Sequence, residues 1–290
     1  MSEIINPVQV GLCGWGDHDI YPPGTRSHEK LAIYAGHFPV VELDSTFHAI
    51  APPDRMERWA QETPPSFRFV VKAYRGLTGH GRLERAPVRT WMELVEEMKD
   101  SVEPLIKHGK LSMLLFQFPP WFDCTKKHVK YIRRVREAFR DYPVAIEFRH
   151  QSWFLPRFKS STLRFLREEK LIHTICDEPQ AGEGSVPPVV EVTHPQHALI
   201  RMHGRNLEGW NNTGQPNWRD VRYAYRYSDE ELDEWKHIIE QLKHRTGQVT
   251  VLFNNNSQGD AAGNAKQMIG KLNLTFSGLA PRQLTFFEEL

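Results

Sequence analysis

The chain has 290 residues, 40% of them hydrophobic and 25% charged, with a formal net charge of +1. That composition excludes a disordered or fibrous chain, and near-neutrality excludes a surface broadly basic enough to coat nucleic acid. The length allows two ordinary domains, or one barrel of the kind that runs to 250 residues or more.

Residues 1–10 lack the charged start and apolar stretch of a secretory signal. No apolar run approaches the ~18 residues of a spanning helix. A cytoplasmic protein with no membrane partner is expected. Cys13, Cys124 and Cys176 lie far apart without a Cys-x-x-Cys pair, which suits reduced, buried thiols better than a disulfide framework.

In chain order, Val8–Trp15 reads as a first strand, and Leu31, Tyr34, Ala35 and Phe38 mark a helix after it. Pro39–Thr46 is a second strand, followed by a helix over Pro53–Gln61. The third strand, Phe67–Tyr74, leads to the capping box Thr90-Trp91-Met92-Glu93, with Leu94, Val95, Met98, Val102 and Leu105 at helical spacing. Leu111–Pro119 is the fourth, and its run Ser112-Met113-Leu114-Leu115-Phe116 fits a parallel strand buried on both faces. Val129, Ile132, Val135 and Phe139 mark the next helix. Pro143–His150, Leu171–Glu178 and His197–Gly204 are strands five to seven, with a helix over Arg157–Glu168 between the first two. Ser228-Asp229-Glu230-Glu231 caps a helix carrying Leu232, Trp235, Ile238, Ile239 and Leu242. Gln248–Asn256 is strand eight, followed by a helix over Ala261–Leu272.

Strand–helix alternation repeated eight times predicts an α/β fold, one (β/α)8 TIM-type barrel over residues 1–279 with a C-terminal tail, 280–290. An open doubly wound sheet competes, but no Gly-x-Gly-x-x-Gly follows the first strand, so neither that fold nor a nicotinamide or flavin cofactor is expected. Long connections are expected after strands 3, 6 and 7. Pro179–Pro188 is rich in Gly and Pro; Arg205–Tyr227 carries Trp210, Trp218, Tyr223, Tyr225 and Tyr227. They read either as lids over the barrel mouth or as a rim packed by its own aromatics.

Polar residues terminate the strands, and barrel sites form at that end. The candidate catalytic groups are Glu147, Asp177 and His203, with Lys72 and Asp44. The first three also offer ligands for a divalent metal, although no metal-binding spacing is present. Lys72, Arg149, Arg201 and Arg205 concentrate positive charge suited to carboxylate or phosphate. Trp15, Asp17, His18, Gln117 and Asn254–Asn256 complete the candidate substrate-binding set, with Asn255 and Asn256 leading into Gly259–Gly263, a helix start placed to cradle phosphate. Alternation puts Glu147 and Arg149 on one side of their strand, and Arg201, His203 and Arg205 on one side of theirs. The competing reading is a structural ion-pair layer in which Glu42, Glu147 and Arg201 neutralise one another. Trp15, Trp121, Trp153, Trp210 and Trp218 near the mouth suit a flat ligand, or simply exclude water.

Gly11-Leu-Cys-Gly-Trp15, Val41-Glu-Leu-Asp-Ser-Thr-Phe47, Phe67-Arg-Phe-Val-Val-Lys-Ala73, Phe116-Gln-Phe-Pro-Pro120, Ile146-Glu-Phe-Arg-His150, Cys176-Asp-Glu-Pro179, Arg201-Met-His-Gly-Arg205 and Phe253-Asn-Asn255 together resemble the domain of unknown function 72 family, and Asn254-Asn-Asn-Ser257 its YunF-type branch. The resemblance implies a TIM-type barrel and supplies no reaction. The residues themselves point to an enzyme, hydrolase or lyase, acting on an anionic or phosphorylated substrate such as a nucleotide, nucleic acid or sugar phosphate. The alternative is a non-catalytic binding module. In the tail, Gln283, Leu284, Phe286 and Phe287 are similar to the peptide by which bacterial proteins dock on the replication sliding clamp, and read otherwise as apolar groups packed on the barrel's own helices.

Overall fold

Eight parallel strands close on themselves in chain order: β1 (Val8–Cys13), β2 (Val40–Leu43), β3 (Arg68–Lys72), β4 (Leu111–Gln117), β5 (Val144–Glu147), β6 (Ile172–Asp177), β7 (His197–Met202) and β8 (Gln248–Phe253). The computed structural model describes residues 6–80, 89–211, 221–256 and 259–281. The expected (β/α)8 barrel is therefore the fold, with each strand lying inside the run assigned to it from sequence. The tail residues Gln283, Leu284, Phe286 and Phe287 lie outside the described residues, as do Trp218 and part of the connection after β3.

Both capping boxes form. Thr90 opens the helix Trp91–Lys107 and Ser228 the helix Asp229–Leu242, each with the reciprocal hydrogen bonds between cap and third-position glutamate. Each box satisfies otherwise orphaned amide groups. The other larger helices, Pro53–Gln61, Lys126–Ala138, Pro156–Glu168 and Asp260–Lys271, fall where apolar spacing placed them.

The alternation has one exception. Between β6 and β7, residues 178–196 contain no helix. Hydrogen bonds do its work there: Thr193 Oγ1 accepts from the His173 amide at 2.8 Å and donates to the Leu171 carbonyl at 2.7 Å. Val186 and Val189 are buried against the barrel.

Two apolar layers result from strand alternation. Outward-facing residues pack against the helices. Inside the barrel, Val40, Val70, Met113, Leu115, Ala145, Ile172, Leu199 and Leu252 form a separate cluster drawn from seven strands. The remaining strand, β1, approaches β2 so closely that a Cβ on Gly11 would lie 2.8 Å from the Val40 carbonyl carbon and closer still to its oxygen. Past the last helix, Gly278 O accepts from Ser66 Oγ at 2.9 Å and the Ala280 amide donates to Ala35 at 3.0 Å. Both partners precede a strand, so the tail departs from the N-terminal end of the barrel. No described helix is long and apolar enough to cross a membrane.

Candidate functional site

Strand parity builds the site. Two residues beyond an interior apolar side chain, the same inward face carries a polar one: Val40 is followed by Glu42, Val70 by Lys72, Leu115 by Gln117, Ala145 by Glu147, Leu199 by Arg201 and Leu252 by Asn254. A polar layer thus lies directly on the apolar plug at the C-terminal end of the strands. Above it opens a cavity of about 620 Å³ whose wall includes Lys72, Gln117, Arg149, Arg201 and Asn254 from this layer and the strand ends.

The floor is a chain of ion pairs. Arg201 donates to both oxygens of Glu42, at 2.7 and 2.8 Å, and to Glu147 Oε2 at 2.6 Å. Arg149 donates to Glu147 Oε1 at 2.6 Å and to Glu178 Oε2 at 2.6 Å. All five side chains are buried. Burial alone would raise the Glu147 carboxyl, but the guanidinium groups of Arg149 and Arg201 outweigh it and hold the carboxyl well below its usual range. Three carboxylates share two guanidiniums, so one must be under-compensated. That one is Glu178: burial pushes it up to about 7 against the pull of Arg149 and of the Val186 amide.

His203 stands two residues beyond Arg201, on the mouth side of this floor, with Nε2 2.9 Å from Arg149 Nη2 and Nδ1 2.9 Å from Asn254 Nδ2. The guanidinium and the Asn254 NH2 group both donate, and an acceptor, Glu147 Oε1, lies 3.5 Å from Nε2. Burial and the two guanidinium charges hold His203 neutral, its pKa well below the ordinary value.

The upper wall is formed by loops. Phe47, His48 and Asp44 follow β2, Arg75 and His80 follow β3, Trp121 follows β4, and Arg222 and Tyr223 follow β7. Lys72 Nζ sits 4.7 Å over the Phe47 ring. Among the described residues no carboxylate pairs with its ammonium. His80 Nδ1 is 2.9 Å from Thr78 Oγ1; burial, then Lys72 and Arg149, lower its pKa to about 4. Asp44 keeps its side chain open to solvent, yet partial enclosure and the Glu42 charge raise its carboxyl pKa.

Of the residues anticipated from sequence, the cavity wall brings together Asp44, Lys72, Gln117, Arg149, Arg201 and Asn254. Others fall elsewhere. Asp177 faces the outer helices and binds Arg205 at 3.0 Å; parity along Ile172, Thr174, Cys176 sends Glu178 inward in its place. Arg205 does not continue the inward face of β7, because that strand ends at Met202 and Gly204 turns the chain with φ +82°. It reaches Glu231 at 3.1 Å instead. Glu147 and His203 are fully buried, which leaves neither free to meet a ligand. Asn255 is buried against Asn264 and Tyr225, and Trp15 packs on Trp59. His18 is buried with Nε2 3.0 Å from Gly14 O, while Asn256 Nδ2 donates to the exposed Asp17's carbonyl at 2.6 Å. At the expected phosphate cradle Asp260 stands in the first turn of the helix and Asp19 packs beside Gly259, and this acidic surrounding disfavours a bound anion.

A metal fits poorly here. Glu147, Cys176 and His203 place donor atoms within 4.8 Å of one another. Both Glu147 oxygens are taken by guanidinium hydrogens, burial and the Glu147 charge push the Cys176 thiol up, and two fixed cations face the same space. The described part of the β7 connection favours a packed rim over a lid: Trp210 is buried between Arg222, 3.6 Å from its ring, and Arg149. Phe47, His48, His80 and Arg222 went unread from sequence, since they come from loops that only barrel closure assembles. Glu178 carried a readable signal in its strand parity.

Residues 9–285 match the family model described as protein of unknown function DUF72. The chain is 52% identical over 282 residues to UPF0759 protein YunF of Bacillus subtilis, covering 97% of this chain and all of that one. Among solved structures, a DUF72 family protein from Enterococcus faecalis superposes with a TM-score of 0.89 at 37% identity, covering 96% of this chain and 100% of the other. One from Thermotoga maritima gives 0.77 at 32% identity, covering 93% and 100%.

Proposed function

The chain belongs to the DUF72 family, and from its cavity we propose an enzyme, a hydrolase or lyase, that acts on an anionic, phosphorylated small molecule at the C-terminal mouth of the barrel. One observation carries the reading. Five cationic side chains, Lys72, Arg75, Arg149, Arg201 and Arg222, line a cavity of about 620 Å³, and the ammonium of Lys72 has no carboxylate partner among the described residues. A space of that size suits one small ligand. Arg149 and Arg201 are already neutralised by the floor, so Lys72 is the cation with charge to offer an incoming anion.

Proton transfer falls to the groups on the wall. Asp44, its carboxyl raised, and neutral His80, its ring fixed by Thr78, flank the position that an anion on Lys72 would take. The locked state of Glu147 favours a second reading, a binding module without catalysis, because the strongest candidate acid–base group cannot reach a ligand.

Thermal denaturation with inorganic phosphate, nucleoside monophosphates and sugar phosphates tests the proposal. A ligand present at 100 times its Kd stabilises by about 2.7 kcal/mol, and Lys72→Ala should remove most of that shift. Melting temperatures unmoved by every anion would refute it. Asp44→Asn and His80→Gln separate the two readings: loss of phosphate-ester turnover with binding kept supports the enzyme, and absence of turnover in the unaltered protein supports the module.

A further inference from the structure

We propose that Trp121 is a stacking platform for a flat heteroaromatic ring, so that the ligand of the cavity is a nucleoside phosphate rather than a sugar phosphate. The inference rests on the anion-binding reading and narrows it.

Trp121 is 65% exposed, the most open of the large hydrophobic side chains among the described residues. Its backbone is firmly held. The next residue, Phe122, is buried with its ring stacked 4.1 Å from Phe118 and 4.0 Å from His128. A single exposed apolar side chain needs no explanation in general. This one lines the same cavity as the five cations.

A row of rings leads inward from it. Trp121 meets His80 edge-on at 6.1 Å, His80 meets Phe47 edge-on at 4.9 Å, and Phe47 lies under Lys72 Nζ at 4.7 Å. The planes of Trp121 and His80 cross at 64°, so His80 braces the indole without stacking on it, and no described ring stacks there. The face is left to a ligand. Rim and depth therefore recognise different chemistry: an uncovered indole outside, an ammonium inside. A molecule with a planar π system at one end and phosphate at the other satisfies both. A sugar phosphate satisfies only the inner half, because it has no π face to stack.

Truncation of a stacking aromatic to alanine weakens binding by about 5- to 150-fold per base. Isothermal titration of the full-length protein with adenosine 5′-monophosphate, ribose 5-phosphate and inorganic phosphate reads this directly. The expected result is at least tenfold tighter binding of the nucleotide than of ribose 5-phosphate. Trp121→Ala should abolish that preference and leave the ribose 5-phosphate affinity unchanged, and Trp121→Phe should restore part of it. Lys72→Ala should weaken all three ligands. Equal affinity for nucleotide and ribose 5-phosphate, or equal weakening of all three by Trp121→Ala, overturns the stacking inference while anion binding stands. No binding of any of the three overturns both. The open position of Trp121 keeps its substitution from disturbing the fold.

Discussion

Replacing Glu147 by glutamine asks what the ion-pair floor contributes. Each Glu147 oxygen accepts a guanidinium hydrogen at 2.6 Å, one from Arg149 and one from Arg201, and the side chain is fully buried. Glutamine keeps the shape and one acceptor, but it turns a donor toward a guanidinium that can only donate. Arg201 retains Glu42 and Arg149 retains Glu178, so neither cation is stranded, yet both lose half of their compensation. Breaking a buried pair costs about 3–5 kcal/mol. At ~2.1 cal/mol/K of unfolding entropy per residue over 290 residues, that is a fall in Tm of about 5–8 °C. Urea unfolding followed by tryptophan fluorescence at pH 7 measures it, and the exposed pair Arg26–Glu29 supplies the control, Arg26→Ala, with a cost under ~1 kcal/mol. A second readout is independent of stability. Removing the Glu147 charge leaves Glu178 as the sole acidic partner of Arg149, so its carboxyl should titrate below its value of about 7 in the unaltered protein, read by carbon NMR. A Glu147→Gln protein as stable as the unaltered chain, with Glu178 still near 7, would show that the floor is not held together as described.

Two further predictions concern the scaffold. Gly11→Ala drives a methyl into the Val40 carbonyl between two strands, so a loss above ~4 kcal/mol or failure to fold is expected, whereas Gly263→Ala, in open helix surface, should stabilise by up to ~1 kcal/mol; soluble expression and urea midpoints decide. His173 donates to the Val189 carbonyl at 2.9 Å, and burial lowers its pKa to about 4. With an unfolded value near ~6.5, the unfolded chain takes up a proton that the folded chain refuses, so its stabilising contribution is intact above that value and lost as pH falls toward 4. His173→Asn should be less stable at neutral pH and lose stability less steeply over that window, by up to ~1.4 kcal/mol per pH unit; an unchanged slope refutes the assignment.

Much of this molecule follows from local rules. Buried parallel strands announce themselves as apolar runs, capping boxes mark helix starts, and both depend only on neighbours within a turn or two. The polar floor was equally legible while the strands lasted: counting by twos from the interior residues Leu199 and Ala145 reaches Arg201 and Glu147. The same count along β6 reaches Glu178 and passes over Asp177. Beyond the last strand residue that arithmetic stops. Gly204, at φ +82°, sends Arg205 outward, and nothing in a two-residue period foretells such a turn. The helix missing between β6 and β7 likewise rests on Thr193 and His173, twenty residues apart. The cavity wall is the extreme case. Phe47, His80, Trp121 and Arg222 meet only because closure of eight strands brings their loops to one rim. Local sequence thus determined which elements form and what faces the barrel axis, since those are short-range properties of the backbone. Tertiary structure alone decided which loop side chains share a cavity and which charges remain unpaired, because both depend on distances between residues far apart in the chain.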